Sequence, residues 1–142
     1  MLRTVRLGKA IAVAAILSTS LLVACGGDDD DSGSQSAATQ STATKAIDEI
    51  DETSAGLDQA LAQLRDGDVK AAKETVAETY LQHFEEVEAP LEKVAPELKE
   101  KLEEGISTDL RGDIGKASAK QITDQVNQLK LGLATAKSKL EG

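Results

Sequence analysis

Residues 45–69 read KAIDEIDETSAGLDQALAQLRDGDV. Ile47, Ile50, Ser54, Leu57, Leu61 and Leu64 recur three and four positions apart. That spacing places them on one stripe of a helix with 3.6 residues per turn. It predicts a helix over about residues 44–65. Asp66-Gly67-Asp68 then ends it. A glycine suits the left-handed position after a helix, and Asp68 is a natural cap for the next one.

Three more stripes follow. Val69, Ala72, Val76, Tyr80, Phe84 and Val87 predict a second helix to about Glu88, stopped by Pro90. Leu91 and Val94 are then expected in a short turn. Pro96 suits the first turn of a third helix carrying Leu98, Leu102, Ile106 and Leu110, weakened by Gly105 and Ser107. Arg111-Gly112-Asp113 resembles the first break and predicts a second one. The two breaks fit either a diverged duplicated hairpin or the same turn chemistry used twice. The last stripe is Ala119, Ile122, Val126, Leu129, Leu133, Ala136 and Leu140, on a helix over about residues 116–140. No segment alternates at period two. Short connections between four stripes predict an all-α fold, an antiparallel up-down four-helix bundle over residues 44–142. The Gly and Pro breaks argue against one long coiled coil.

Working outward to the N-terminus, Arg3, Arg6 and Lys9 precede an apolar run, Ala10 to Val23, interrupted by Ser18, Thr19 and Ser20. Charge order and length predict a secretory signal over residues 1–24, too short and broken to span a bilayer as a helix. The run ends in Leu22-Val23-Ala24-Cys25. Small residues before a cysteine, after an apolar stretch, resemble the lipobox of bacterial lipoproteins. The resemblance implies cleavage before Cys25 and diacylation of its thiol. Two acyl chains anchor stably where one does not. The expected location is therefore the cell membrane, lipid-anchored and facing the extracytoplasmic side, periplasm or cell surface. Cys25 is the only cysteine, so no intrachain disulfide can form. Residues 25–43, with Asp28-Asp29-Asp30-Asp31 among Gly, Ser, Ala, Thr and Gln, read as a flexible linker.

Loss of residues 1–24 removes three of the 16 basic residues and none of the 25 acidic ones, leaving a charge of −12. No basic face is left for phosphates, which argues against nucleic acid. Cationic partners, metal ions among them, are compatible with this balance. One histidine, one cysteine destined for lipid and no glycine-rich phosphate loop argue against an enzyme.

The segment ETYLQHFEEVEAPL, residues 78–91, holds the only tyrosine, histidine and phenylalanine of the chain. On a helical wheel Tyr80 faces the core with Val76 and Val87, and His83 lies on the flank of the stripe with Glu86 one step beyond. Glu88 falls at the opposite margin and Glu85 points outward. His83 and Glu86, three apart, can reach one point. Imidazole with carboxylate suits iron, zinc or copper. His83, Glu85, Glu86 and Glu88 are thus candidate metal ligands, with the Tyr80 phenol hydrogen-bonded behind them. A neighbouring helix would have to add an acid. Asp51 and Asp58 border the first stripe, and Glu92 and Glu97 lie near the turn. The alternative is purely structural: Tyr80 and Phe84 fill a core layer, and a histidine or glutamate satisfies the phenol.

Thr79-Tyr80-Leu81-Gln82-His83-Phe84-Glu85-Glu86-Val87-Glu88, then Pro96-Glu97-Leu98, resembles the extracytoplasmic helical domain of bacterial high-affinity iron permeases. That domain has an alanine–tyrosine pair, phenylalanine–glutamate four residues after the tyrosine, a further acidic position and an aspartate–proline helix start. Tyr80, Phe84, Glu85 and Glu88 match this pattern. Thr79 and Ala95 depart from it, and His83 is outside it. The permease's membrane helices are absent from this sequence. The resemblance covers about residues 68–142. It implies a free-standing lipoprotein version of an accessory domain in iron transport, with an iron permease or another envelope protein as partner. His83 and Glu86 also share the spacing of a histidine and a glutamate in imelysin-type iron-uptake lipoproteins. The other reading is a structural or protein-interaction lipoprotein with no metal role.

Overall fold

A computed structural model describes the backbone of residues 34–142 and the side chains of residues 41–142. The signal segment, Cys25 and the Asp28–Asp31 run lie outside these residues. The described chain is helical, with no strand. Its elements are α1 (Ser34–Arg65), α2 (Val69–Thr79), a π-helical segment Tyr80–Phe84, α3 (Glu85–Val94), α4 (Pro96–Glu103), a second π-helical segment Glu104–Leu110, α5 (Arg111–Asp113) and α6 (Ala119–Glu141). Because the π segments join their neighbours end to end, these elements make four rods, residues 34–65, 69–94, 96–113 and 119–141.

The helical part of α1 begins at Ser34, ahead of the expected start near 44. Residues 34–43 contain neither Gly nor Pro, so the packed helix propagates backward through them at small cost per residue. The buried face of α1 is Ala46, Ile50, Thr53, Leu57, Ala60 and Leu61. Ile47 and Ser54, expected in the stripe, sit on its flank, half-buried. Both stripes share Ile50, Leu57 and Leu61. The small residues Ala46, Thr53 and Ala60 decide between them, because they let another helix approach. Thr53 is fully buried, and its hydroxyl donates to the Glu49 carbonyl at 2.7 Å, which removes the penalty of an unpaired group. At Gly56 the approach is closest: a Cβ there would lie 2.1 Å from Oγ1 of Thr79 on α2.

The first turn is built as the sequence predicts. Gly67 has φ +85°, and the Asp68 side chain accepts from the Ala71 amide at 2.9 Å. The second rod then departs from expectation. Pro90 does not stop it, and Leu91 and Val94 belong to α3 rather than to a turn. Val87 and Leu91 are fully buried on either side of the proline. Their burial offsets the roughly 3 kcal/mol that an interior proline costs a helix. The rod ends instead at Ala95, with φ −156°, and Pro96 opens α4 in the first-turn position expected for it.

Both π segments have a cause in the apolar spacing. In the second rod the buried positions are Ala72, Val76, Thr79, Phe84, Val87 and Leu91. The step of five from Thr79 to Phe84 does not fit an α-helix. The wider turn takes it up, with the Glu85 amide bonded back to the Tyr80 carbonyl, five residues away. Along the third rod and into the turn after it, Leu98, Leu102, Ile106, Leu110 and Ile114 are spaced by four throughout. Each such step overshoots a 3.6-residue turn by about 40°. The π segment has more residues per turn and brings Ile106 and Leu110 back onto the buried side.

The second break lies further along than expected. Arg111, Gly112 and Asp113 are still helical, and the left-handed residue is Gly115, with φ +81°. Ile114 is fully buried in the turn itself. The last helix starts at Ala119 rather than near 116, because Ser118 caps it: its side chain accepts from the Gln121 amide while Gln121 Oε1 accepts from the Ser118 amide at 3.0 Å. One continuous core joins all four rods, including Phe84, Ile106, Val126 and Leu133. Among the described residues no helix is long and apolar enough to cross a membrane.

Candidate functional site

The π segment Tyr80–Phe84 carries the three chemically distinctive side chains of the chain, and its extra residue per turn fans them around the rod. Phe84 is fully buried. Tyr80 packs on it with ring centroids 5.9 Å apart and planes tilted by 31°. The Tyr80 phenol donates to Glu88 Oε1 at 2.8 Å. Burial, then the bond to Glu88 and the negative charges of Glu88, Glu103 and Glu85, hold the phenol proton well above its ordinary range. At neutral pH this group is a donor that stays protonated.

His83 points the other way, to α1. Its Nδ1 lies 2.8 Å from Glu49 Oε2, with the two side chains 31% and 21% exposed. One turn along each helix, Lys45 Nζ meets Glu86 Oε2 at 2.7 Å. The Lys45 ammonium is held above its ordinary range by that hydrogen bond and by the charges of Glu86 and Glu49. These two contacts fasten α1 to the π segment and to the start of α3.

The candidate ligands thus go to separate places. His83 bonds to Glu49, Glu86 to Lys45 and Glu88 to Tyr80. Glu85 is exposed. Three of the other four acids weighed as ligands face cations. Asp51 takes Lys137 at 2.7 Å, Asp58 takes Lys130, and Glu92 takes Lys99 at 3.5 Å. Glu97 lines a shallow depression with Ala95 and Pro96. Among the described residues no group of three or more His, Cys, Asp or Glu side chains converges as a metal site.

Glu49 is the participant that sequence reasoning missed. It lies three residues after buried Ala46 and four before buried Thr53, so it flanks the true face of α1. The stripe through Ile47 and Ser54 points to Asp51 and Asp58 instead. Beside the His83–Glu49 pair, a polar cavity of about 200 Å3 is lined by Glu52, Gln59, Glu78 and Gln82. A carboxylate on one ring nitrogen fixes the orientation of an imidazole. The arrangement can present the other ring nitrogen to a single cation, with Glu52 and Glu78 as nearby negative charge. No family model, curated protein or solved structure matches the chain.

Proposed function

We propose that this chain is a lipid-anchored extracytoplasmic lipoprotein whose helical domain serves as a structural or protein-interaction module of the envelope. The observation that carries this reading is where the candidate carboxylates are spent. Glu86, Asp51 and Asp58 are paired with lysines of other rods, while Glu88 accepts a hydrogen bond from Tyr80 within its own rod. Groups used in this way hold rods together and are poorly placed to gather around an ion. The anchor in this proposal is Cys25, and the partner is an envelope protein.

The proposed arrangement is an antiparallel up-down four-helix bundle. The cross-rod pairs support it. From Asp51 to Asp58 on α1, the partner on α6 falls from Lys137 to Lys130. From Lys45 to Glu49, the partner on the second rod falls from Glu86 to His83. Positions that rise on one rod as they fall on the next are the pattern of antiparallel neighbours.

A second reading keeps the accessory role in iron transport, beside an iron permease. The His83–Glu49 pair favours it, since metal-binding histidines commonly have a carboxylate on the other ring nitrogen. One experiment separates the two. The full chain is titrated with ferrous, ferric, zinc and copper ions by calorimetry, beside His83→Ala and Glu49→Ala. The interaction module predicts binding no tighter than millimolar, equal in all three proteins. Micromolar binding lost in both variants would replace it with the metal reading. The anchor is tested apart from this, by incorporation of labelled palmitate into the chain but not into Cys25→Ser.

A further inference from the structure

We propose that the polar cavity between α1 and the second rod receives the guanidinium group of an arginine side chain carried by the envelope partner. This inference rests on the interaction-module reading above and names the chemistry of one docking point for it.

The cavity beside the His83–Glu49 pair has a volume of about 200 Å3. That is below the roughly 300–1,000 Å3 of small-molecule sites, so it suits one side-chain group better than a whole small ligand. Helix α1 supplies Glu52, Gly56 and Gln59 to its wall, and the second rod supplies Glu78, Thr79 and Gln82.

Thr79 marks the cavity as a site. It is only 5% exposed, yet it lines the cavity. Its hydroxyl has no hydrogen-bond partner among the described residues, whereas the hydroxyl of Thr53, the other buried threonine, donates to a backbone carbonyl. The fully enclosed atoms without a partner are Oε1 of Gln63 and Oε1 of Gln125, so Thr79 Oγ1 keeps accessible surface. Gly56 leaves it uncovered, because a Cβ at that position would run into Oγ1 from the facing helix. A largely buried hydroxyl without a partner is destabilising, so the site is more favourable with a partner supplied through the cavity.

The charge around that hydroxyl is negative and unpaired. Glu52 and Glu78 are exposed, with no ion-pair partner among the described residues. Lys73 and Arg111 share a neighbouring depression with Glu78 but do not pair with it. An incoming group must therefore bring donors and positive charge. A metal ion fits less well, because no three ligating side chains converge among the described residues. A lysine ammonium is compact and strongly hydrated. A guanidinium is flat, more weakly hydrated and carries five N–H donors in a fixed fork. That fork can meet a carboxylate from each helix and the Thr79 oxygen together.

The test is amide shift mapping of the full chain in chelator-containing buffer at near-physiological ionic strength. The probes are two capped tripeptides, with arginine or lysine between two alanines. The expected result is saturable shifts confined to residues 52–59 and 75–83. The Kd should be at or below about 5 mM for the arginine peptide, and at least about threefold weaker for the lysine peptide. Thr79→Val keeps the side-chain shape and the net charge, and should weaken arginine binding about fivefold. Diffuse attraction of a cation to an acidic protein would survive that variant. Should Thr79→Val lose its helical circular dichroism, Glu78→Gln decides, with Glu104→Gln as the same charge change at an exposed position on another rod. Glu78→Gln should weaken binding about fivefold and Glu104→Gln should not. Shifts that scatter or fail to saturate, equal affinity for the two peptides, unchanged affinity in Thr79→Val, or equal effects of the two glutamate variants would each overturn the proposal. The chelator keeps metal out of this experiment, so its failure strikes the arginine site alone, while the interaction-module reading falls only to the metal titration above.

Discussion

The turns at 66–68 and 114–118 start from similar residues and are built differently. The first reads Leu64-Arg65-Asp66-Gly67-Asp68-Val69, the second Leu110-Arg111-Gly112-Asp113-Ile114. In the first, glycine is the left-handed residue and the following aspartate caps the next helix. In the second, Gly112 and Asp113 stay helical, and Gly115 and Ser118 take over those two tasks. The difference lies in one apolar side chain. Val69 is 40% exposed, whereas Ile114 is fully buried. A helix ended at Gly112 would change the path of the chain into Ile114, and the core keeps the helix going to hold that side chain. Capping chemistry proposes a turn, and burial decides where it falls. The two turns are neighbours in space, since a Cβ on Gly115 would lie 2.8 Å from Val69 Cγ1.

The largest effect should come from Ile114→Ala, with a loss of about 2–5 kcal/mol in denaturant unfolding. Val69→Ala should change stability by less than about 1 kcal/mol. Equal losses at the two positions would break the comparison. Next in size is the glycine series. Gly115→Ala should cost about 1–2 kcal/mol from its left-handed backbone, with the Val69 contact adding to it. Gly67→Ala has the same backbone strain but open space around the new methyl, so it should cost less. Gly112→Ala should have the opposite sign, a gain of about 0.5–1 kcal/mol, because that glycine is helical and unobstructed. A loss there would mean that Gly112 is the true break. Caps come third. Ser118→Ala and Asp68→Ala should each cost about 0.5–2 kcal/mol, with Ser118 the costlier because its box is reciprocal.

The smallest effect is alkaline. The Tyr80 phenol is raised above its unfolded value, first by burial, and Lys45, Lys99 and Lys137 are raised too, first through a hydrogen bond to an acid. A raised group binds its proton more tightly folded than unfolded. Its contribution is complete below the unfolded value near pH 10 and is lost as pH rises beyond it. Melting temperature should therefore fall above about pH 10. Tyr80→Phe should make that fall shallower, and an unchanged slope would assign the loss to the lysines alone.

Much of the fold was legible because its signals are local. The first turn follows from Gly67 and Asp68, and the start of α4 from Pro96. The Ser118 box is equally local, but Gly112 offers an earlier stop in the sequence. The candidate site was legible only in part. Tyr80, His83 and the glutamates stood out by rarity, and a glutamate was a foreseeable partner for a phenol. That His83 would face Glu49 was not, because 34 residues separate them.

The amino-acid pattern by itself determined that the described chain is helical, where its first turn falls and which positions carry most of the core. Helix propensity, capping and apolar period act within a few residues and need no partner. Only the tertiary structure decided the rotation of α1, the two π segments, the passage of a helix across Pro90 and the pairing of His83 with Glu49. Each of these trades a local penalty, or a choice between nearly equal stripes, against apolar surface buried on another rod, and that surface exists only once the rods have met.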